Sequence, residues 1–535
     1  MKIETLKTDV LIVGAGPTGL SLACQFVRFG IDFVILDKKE SVTTLSKALG
    51  VHARTMEIYE QLGVANEAVA RGSVASKTRL IGNGKIHDGF SFAKMGKGVS
   101  PYPYMLVLEQ SKNEALLYEY LQQHGKAVMW NSALETFSQN ESSVTAVVQQ
   151  DDETTRTIEA KYLVGCDGAS SVVRKQLGLD FEGSTEERLF YVADSYMESE
   201  FAHDTLHGNF GLESFLFFFP MANDEETPAG TDRWRILGNL PEDIPTDEEV
   251  DMSDAAIEQR IQEGTKLPLK IHSTNWSSSY RVHTRHVDQF IKGRCLLAGD
   301  AAHVHTPAGG QGMNTGIQDA YNLAWKMAFV LKGQANDKLL QTYEQERLEN
   351  AKNLVESTDR IFEIEAGSNR FLGLIRSYFL PPLAKHIFSL GIVQKTFFQL
   401  ISQVGISYPE SPLSIGSSDA EVKAGDRMPY FNVAGESIYN KLRSPKFHLI
   451  TFSNVRDDSN AANIEKTHGD WLESIVLPQS EAVTDAFGVK ESFSVLVRPD
   501  NYIGIISTSD PSNQHLSEQL EQYFRPMTGK KLVVA

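Results

Sequence analysis

Three aspartates are the residues best placed to hold a ligand: Asp167 and Asp300, each beside a glycine bend, and Asp37, at a strand end. Asp300 closes a short apolar run in the segment CLLAGDAAHVHTPAGGQGMNTGIQDA, residues 295–320. Beyond it come Pro307, then four glycines within ten residues (Gly309, Gly310, Gly312, Gly316), then a helical pattern. A turn this poor in side chains lets backbone lie against a flat ring system. The carboxylate of Asp300 can accept hydrogen bonds from a sugar-like hydroxyl. The amides and positive dipole at the start of the helix can stabilise negative charge on the ring.

A second bend, GAGPTG, contains Gly14, Gly16, Pro17, Thr18 and Gly19. In such a bend the first glycine permits the tight turn and the second admits a pyrophosphate close to the backbone. The third lets helix and strand pack closely, and the helix N-terminus supplies free N–H groups. The apolar run Val10–Val13 precedes the bend, and Leu20, Ala23, Cys24 and Val27 follow at helical spacing as far as Gly30. A second strand, Phe33–Leu36, ends at Asp37, 18 residues after Gly19, where a carboxylate can accept the ribose hydroxyls of an adenosine. The third bend, Cys166-Asp167-Gly168-Ala169-Ser170-Ser171 with Arg174 beyond it, follows a strand at Tyr162–Val164 and would lie near the same crevice.

The elements around these bends divide the chain. The opening strand–helix–strand predicts a parallel sheet covered on both faces. Residues 41–70 read as helical, and Glu114–Gln123 as another helix. Runs near 144–149 and 156–164 read as an antiparallel excursion. Residues 186–284 are rich in aromatics and strand-like runs such as Phe215–Phe219 and Trp234–Leu237, which predicts an inserted, mostly antiparallel sheet. Helical periodicity returns with Ile317, Ala320, Ala324, Met327 and Leu331 and runs to about Ala366, where Gly367 can stop it. The apolar stretch Phe371–Val404 has too few cations for a membrane-surface helix, so packing against the body is expected. Residues 407–425 read as a linker, and the last ~110 residues as a small α/β unit.

With 535 residues, 41% hydrophobic and 22% charged, the chain reads as a multidomain globular protein. A net charge of −18 argues against nucleic acid as a partner. Cys24, Cys166 and Cys295 are far apart in apolar runs, so neither a disulfide framework nor a metal site is expected, and a cytoplasmic location is. His303 and His305 lack a supporting acidic or thiol cluster, and His303 reads as a structural turn residue. No signal peptide is expected, nor any run near the ~20 apolar residues of a membrane span. GxSxG, GxxxxGK[ST] and CxxC motifs are absent.

The three motifs, in the order GAGPTG, CDGASSVVR and GDAAHVHTPAGGQGMNTGIQDAYNLAWK, resemble those of the class A FAD-dependent aromatic hydroxylases, the p-hydroxybenzoate hydroxylase-like monooxygenases. ALGVHARTMEIYEQLG and the stretch around Gln110 add to the resemblance, which covers residues 1 to about 410. The tail, with LVRPDNYIGI at residues 496–505, resembles the thioredoxin-like C-terminal domain of the phenol and polyketide hydroxylase branch, without CxxC.

The resemblance implies a Rossmann-like FAD-binding domain, 1–183 with a substrate-domain segment near 74–105. It implies a substrate-binding sheet at 184–284, the second part of the FAD domain with a helical region at 285–406, a linker at 407–425 and the C-terminal domain at 426–535. It implies FAD held by Gly14, Gly16, Pro17, Thr18, Gly19, Asp37, Lys38, Arg54, Gln110, Asp167, Gly168, Asp300, Pro307, Gly310, Gly312, Met313 and Asn314.

The implied reaction takes NADH or NADPH and O2 and inserts one oxygen atom into a phenolic or polycyclic aromatic substrate through a flavin hydroperoxide. It names no catalytic acid or base, because the cofactor carries the chemistry. Tyr191, Phe217, Phe219 and Tyr280 are expected to wall the substrate pocket, with Arg281 favouring a phenolate. The alternatives are a same-fold enzyme inactivating an aromatic antibiotic and a non-hydroxylating flavoprotein, reductase or sensor. A halogenase is disfavoured, since only Arg233-Trp234-Arg235-Ile236 stands where a WxWxIP segment would be expected. The cysteine-free tail offers a surface for a homodimer.

Overall fold

The computed structural model describes residues 5–151, 154–211, 215–240, 250–306, 308–366, 375–387, 391–416, 420–454, 469–508 and 513–528. The first sheet is centred on Leu6–Val13, whose last four residues are buried. It is flanked in parallel by Phe33–Leu36 on one side and Thr155–Gly165 on the other. Val128–Met129 extends the first flank and Cys295–Leu297 the second, both in parallel. Parallel strands need covered faces, which explains the near-continuous Val/Ile/Leu runs. The helices Pro17–Phe29 and Gly312–Leu331 pack together on this sheet. Val144–Gln150 and Thr155–Gly165 form the expected antiparallel excursion.

The second sheet has eight strands and takes its members from three parts of the chain. Glu182–Glu198, Asp232–Asn239, Phe215–Pro220 and Lys270–His286 form its antiparallel centre. Thr205–Phe210 joins Lys77–Gly82 in parallel, and Lys85–Ser91 closes that edge. At the other edge His303–Val304, just after Asp300, pairs with the end of Lys270–His286. The segment after Asp300 is thereby tied to the second sheet.

One face of this sheet is covered by a helix, Asp254–Thr265, that the sequence reading did not anticipate. Its signals are local: Ser253 caps Ala256 N, and Ile257 and Ile261 recur four apart, both fully buried. Residues 41–70 differ in the other direction. Only Ala53–Leu62 and Ala65–Arg71 are helical, while Gly50–Val51 pairs with Met105–Val107 as a strand.

The helix predicted to reach Ala366 spans Lys338–Ala366, and its expected stop at Gly367 lies outside the described residues. Beyond it, Ala384 and Phe398 are buried while Ile375, Tyr378, Leu383 and Leu400 are exposed. Residues 407–416 and 420–425 are not a free linker. Tyr408 and Leu413 are buried, Ile415 bridges Ile505, and Gly425 N donates to Ile503 O. The C-terminal unit holds a four-stranded sheet in the order Leu472–Leu477, Phe447–Phe452, Phe493–Val497, Ile503–Ser507. Its first pair is parallel and the other two are antiparallel.

Candidate functional site: two glycine bends around one cleft

The bends at Gly14 and Gly299 meet. Gly14 has φ 103°, and a methyl added there would lie 2.4 Å from Cys166 O. At Gly19 it would lie 1.9 Å from Gly14 O. At Gly299 and Gly316 it would lie 2.4 and 2.3 Å from Thr18 Oγ1. These four glycines are therefore required by close packing of backbone on backbone and on Thr18. The bend from GAGPTG, the turn after Thr155–Gly165 and the Gly299-Asp300 turn share one end of the parallel sheet. That end is where open α/β sheets take ligands.

Gly16 is different: a methyl there would meet no protein atom within 4 Å. It caps the helix Pro17–Phe29 with no side-chain hydrogen bond. The approach to the helix N-terminus is open, as a pyrophosphate requires. Asp37 stands beside it, its carboxylate accepting Ala15 N at 2.7 Å and Lys39 N at 2.9 Å. Lys38 is exposed next to it. Gln110 accepts Ala48 N at 3.2 Å and donates to Glu114 at 2.9 Å, which ties the loop at 46–48 to the helix Gln110–Gln123.

Asp167 caps the helix Val172–Gln176, accepting Ser171 Oγ at 2.6 Å and Val172 N at 2.7 Å. Burial raises its pKa against those bonds. Gly168 (φ 79°) faces open space.

Asp300 keeps an exposed surface, yet protein crowds its carboxyl closely enough that desolvation raises its pKa against the pull of His303 and Lys47. Both hold for a side chain on the wall of a solvent-filled cleft. The turn that carries it is braced from beneath by Asp319, a residue the sequence reading passed over. Asp319 accepts Gly299 N at 2.9 Å, His303 Nε2 at 2.7 Å and Arg347 Nε at 2.7 Å. Burial opposes ionisation of Asp319, but Arg347 and His303 outweigh it and hold its pKa below the ordinary value. A lone acid on an apolar helix face was the available signal. Lys47, exposed and near enough to pull on Asp300, was also passed over; nothing in its sequence context marks it.

The glycine turn at 308–312 is clamped by Asn314. Its Nδ2 donates to Gly310 O at 3.0 Å and to Gly50 O at 2.9 Å, and its Oδ1 accepts His52 N at 2.9 Å and Thr55 Oγ1 at 2.8 Å. His52 Nε2 lies 2.8 Å from Gly309 O, and burial lowers its pKa to about 4. Asn314 thus shapes the turn rather than facing the cleft with its side chain. Met313 accepts from Asn113 Nδ2 at 3.2 Å. Pro307 lies outside the described residues. Gly312 lies beside His305 Nε2, a buried ring nitrogen with no hydrogen-bond partner among the described residues, and Thr306 Oγ1 is likewise unpartnered. Open space at Gly16, the cleft-wall carboxylate of Asp300 and the unpartnered atoms at this turn fit a dinucleotide whose flat ring rests on residues 309–313.

Arg54 is a correction. Its guanidinium is buried, bound to Glu57 at 3.0 Å and to Asp500 O at 2.8 Å, and sandwiched by Tyr321 and Tyr502. It faces the C-terminal unit, because Ala53–Leu62 turns that side of the helix away from the glycine turn.

The expected substrate wall divides by strand register. Directly paired residues share a face. Val192 pairs with Leu237, Phe217 with Leu237, Phe219 with Arg235, and Phe190 with Tyr280. Phe217, Phe219 and Tyr280 thus share one face and are half-buried. Tyr191 and Arg281, opposite Ser279 and Leu189, lie on the other face. Tyr191 belongs there to the buried cluster that also contains Ile257 and Ile261 of the covering helix. Those two are corrected: alternation along the strand points them away from the cleft. The open face also carries a buried ion pair, Arg235 and Asp194, joined by two bonds of 2.6 Å, with Arg235 also reaching Lys47 O.

Comparison with known proteins agrees with this geometry. A family profile described as an FAD binding domain matches residues 7–358. The chain is 32% identical over 517 residues to a flavin-dependent monooxygenase of Mycobacteroides abscessus, covering 94% of this chain and 97% of that one. It is 29% identical over 525 residues to 6-methylpretetramide 4-monooxygenase of Streptomyces rimosus, covering 92% and 90%. The solved structure of OxyS anhydrotetracycline hydroxylase from Streptomyces rimosus superimposes with a TM-score of 0.73 at 26% identity, over 98% of this chain and 100% of that one. With its bends converging on one cleft and two thirds of its length matched by the profile, the chain belongs to the FAD-binding-domain family of flavin-dependent monooxygenases.

Proposed function

We propose that the protein inserts one oxygen atom from O2 into a phenolic or polycyclic aromatic substrate, using FAD and either NADH or NADPH. The observation that carries this reading is where the aromatic face lies. Phe219 packs against the cluster that contains Leu49 and against the one that contains Ala53 and Met105. Gly50 in turn lies between Met105 and Gly310 O, a methyl there falling 3.4 Å from Met105 Sδ and 3.9 Å from Gly310 O. The open face of the second sheet is thereby brought to the glycine turn, with Phe217 and Phe219 6.2 Å apart and Tyr280 beside Phe190. A broad aromatic wall suits a flat, multi-ring partner.

FAD, when bound, supplies the hydride acceptance and oxygen transfer that no side chain can perform. The chain's own residues do the rest. The GAGPTG bend and the N-terminus of Pro17–Phe29 would bind the pyrophosphate, and Asp37 would hold the adenosine sugar. Asp300 holds the sugar-alcohol chain. The N-terminus of Gly312–Leu331 would favour negative charge on a ring held at the glycine turn. Phe217, Phe219 and Tyr280 orient the substrate and keep water out. The relatives named for tetracycline-type compounds support a polycyclic substrate.

We divide the chain at the expected boundaries: 1–183, 184–284, 285–406, 407–425 and 426–535. The mixed four-stranded sheet of the tail, a parallel pair followed by an antiparallel hairpin, supports a thioredoxin-like reading. All three cysteines lie outside the tail, so it carries no dithiol. No helix among the described residues is long and apolar enough to cross a membrane. Three free, buried thiols support a cytoplasmic location.

The deciding experiment screens phenols and polycyclic phenols for stimulated NAD(P)H oxidation, followed by product mass. A gain of one oxygen atom is expected. Reduced flavin that persists in air, unmoved by every aromatic tried, would overturn the reading.

A further inference from the structure

The helix Ala53–Leu62 is bound on two sides to two different parts of the molecule. Its first turn grips the glycine turn: His52 N and Thr55 Oγ1 both donate to Asn314 Oδ1, and Asn314 holds Gly310 O. Arg54, Glu57 and Gln61, spaced three and four apart, form a second, buried polar stripe. That stripe meets the C-terminal unit. Arg54 donates to Asp500 O at 2.8 Å, Arg427 to Glu57 Oε1 at 3.1 Å, and Gln61 to Asn501 Oδ1 and Leu442 O, both at 2.9 Å.

The partner turn, Arg498–Asn501, is itself anchored on the helix that carries Asn314. Asp500 Oδ2 accepts Trp325 Nε1 at 2.9 Å, and Arg498 forks onto Glu346 at 2.7 and 2.9 Å. Glu346 also accepts Lys326 Nζ at 2.7 Å. Trp325 and Lys326 belong to Gly312–Leu331. One turn of the C-terminal unit therefore fixes both helices that end at the flavin turn.

Adhesion alone does not call for this arrangement. Trp325, Phe329, Phe447, Trp471 and Phe524 already form an apolar contact between the same two parts. Buried charges add little net stability over apolar packing, but they allow only one geometry. We propose that the C-terminal unit sets the shape of the flavin cradle, with Arg54 and Glu57 as the positioning residues that transmit it through Ala53–Leu62. The proposal rests on FAD occupying the turn at 309–313.

The test uses the full-length chain with Glu57→Gln, which keeps shape and removes the shared charge, and Arg54→Lys, which keeps charge and loses the fork. Trp471→Phe, in the apolar part of the contact, is the control. Three quantities are read: the FAD dissociation constant, the visible spectrum of bound flavin, and the share of oxidised NAD(P)H that appears as hydrogen peroxide. Both stripe variants are expected to weaken FAD by at least about fivefold, the lower range of site-to-site coupling. They should also shift the flavin spectrum and raise peroxide release, while Trp471→Phe lowers thermal stability and changes neither affinity nor spectrum. Folded stripe variants with wild-type affinity and spectrum would overturn the proposal. So would a control that loses FAD in the same proportion to its lost stability. A wild-type chain that binds no FAD would instead overturn the cofactor assignment, which is a separate result.

Discussion

Gly16 and Gly19 lie three residues apart, and replacing each with alanine should have opposite consequences. At Gly16 the new methyl meets nothing within 4 Å, and the backbone, at φ −83°, is open to any residue. The apoprotein should lose no more than the difference between glycine and alanine at a helix N-cap, about 0.5–1 kcal/mol. The methyl does occupy the space where a pyrophosphate would approach the helix amides. FAD affinity should fall at least tenfold, about 1.4 kcal/mol. At Gly19 the methyl would sit 1.9 Å from Gly14 O, and that carbonyl belongs to a backbone wedged against Cys166 O. Neither side can yield without moving a strand end, so the apoprotein should lose about 1–3 kcal/mol or more before any ligand is added. Denaturant unfolding of the two apoproteins gives the first quantity, and quenching of flavin fluorescence on titration gives the second. The reasoning fails if Gly16→Ala binds FAD like the parent, because the open space is then not the phosphate's. It fails equally if Gly19→Ala is as stable as the parent.

Asp300→Ala should leave secondary structure intact and release FAD on dilution, since its exposed carboxylate makes no hydrogen bond among the described residues; unchanged flavin occupancy after purification would count against its role. Acid sensitivity should begin early. Burial lowers the pKa of His52, His207 and His305 to about 4 and of His448 to about 3. Unfolded histidine titrates near 6.5, so between about pH 6.5 and 4 the unfolded chain binds protons that the folded chain refuses. Stability is thus complete above about pH 6.5 and falls with pH below it, by up to about 1.4 kcal/mol per unit for each histidine. His207→Gln and His448→Gln should flatten the slope of unfolding free energy against pH. Tyr191→Phe removes a buried hydroxyl with no partner among the described residues, and should leave stability and turnover within about 0.5 kcal/mol of the parent. Phe219→Ala, on the opposite face, should raise KM for the aromatic substrate; equal effects of the two on KM would refute the assignment of faces.

The amino-acid sequence by itself determined the parallel nucleotide-binding core. Gly14, Gly19 and Asp37 sit on consecutive elements, and the constraints on them are local: a tight turn, a close helix, a carboxylate at a strand end. The antiparallel insertion was also legible, because strand alternation and aromatic content are properties of short segments. Which face of that sheet meets the cleft was not. Tyr191 and Phe190 are neighbours of the same chemical class, and only strand pairing and the helix Asp254–Thr265 decide that Tyr191 lies under that helix while Phe190 backs Tyr280 on the other face. Arg54 carries the same lesson. The family resemblance implied a ligand contact for it, but its charge is consumed by Glu57 and by the carbonyl of Asp500, 446 residues away. A buried ion pair is a property of two distant segments brought together, and no local pattern encodes it. The brace of Asp319, His303 and Arg347 beneath Asp300 arises in the same way, from the packing of Gly312–Leu331 and Lys338–Ala366.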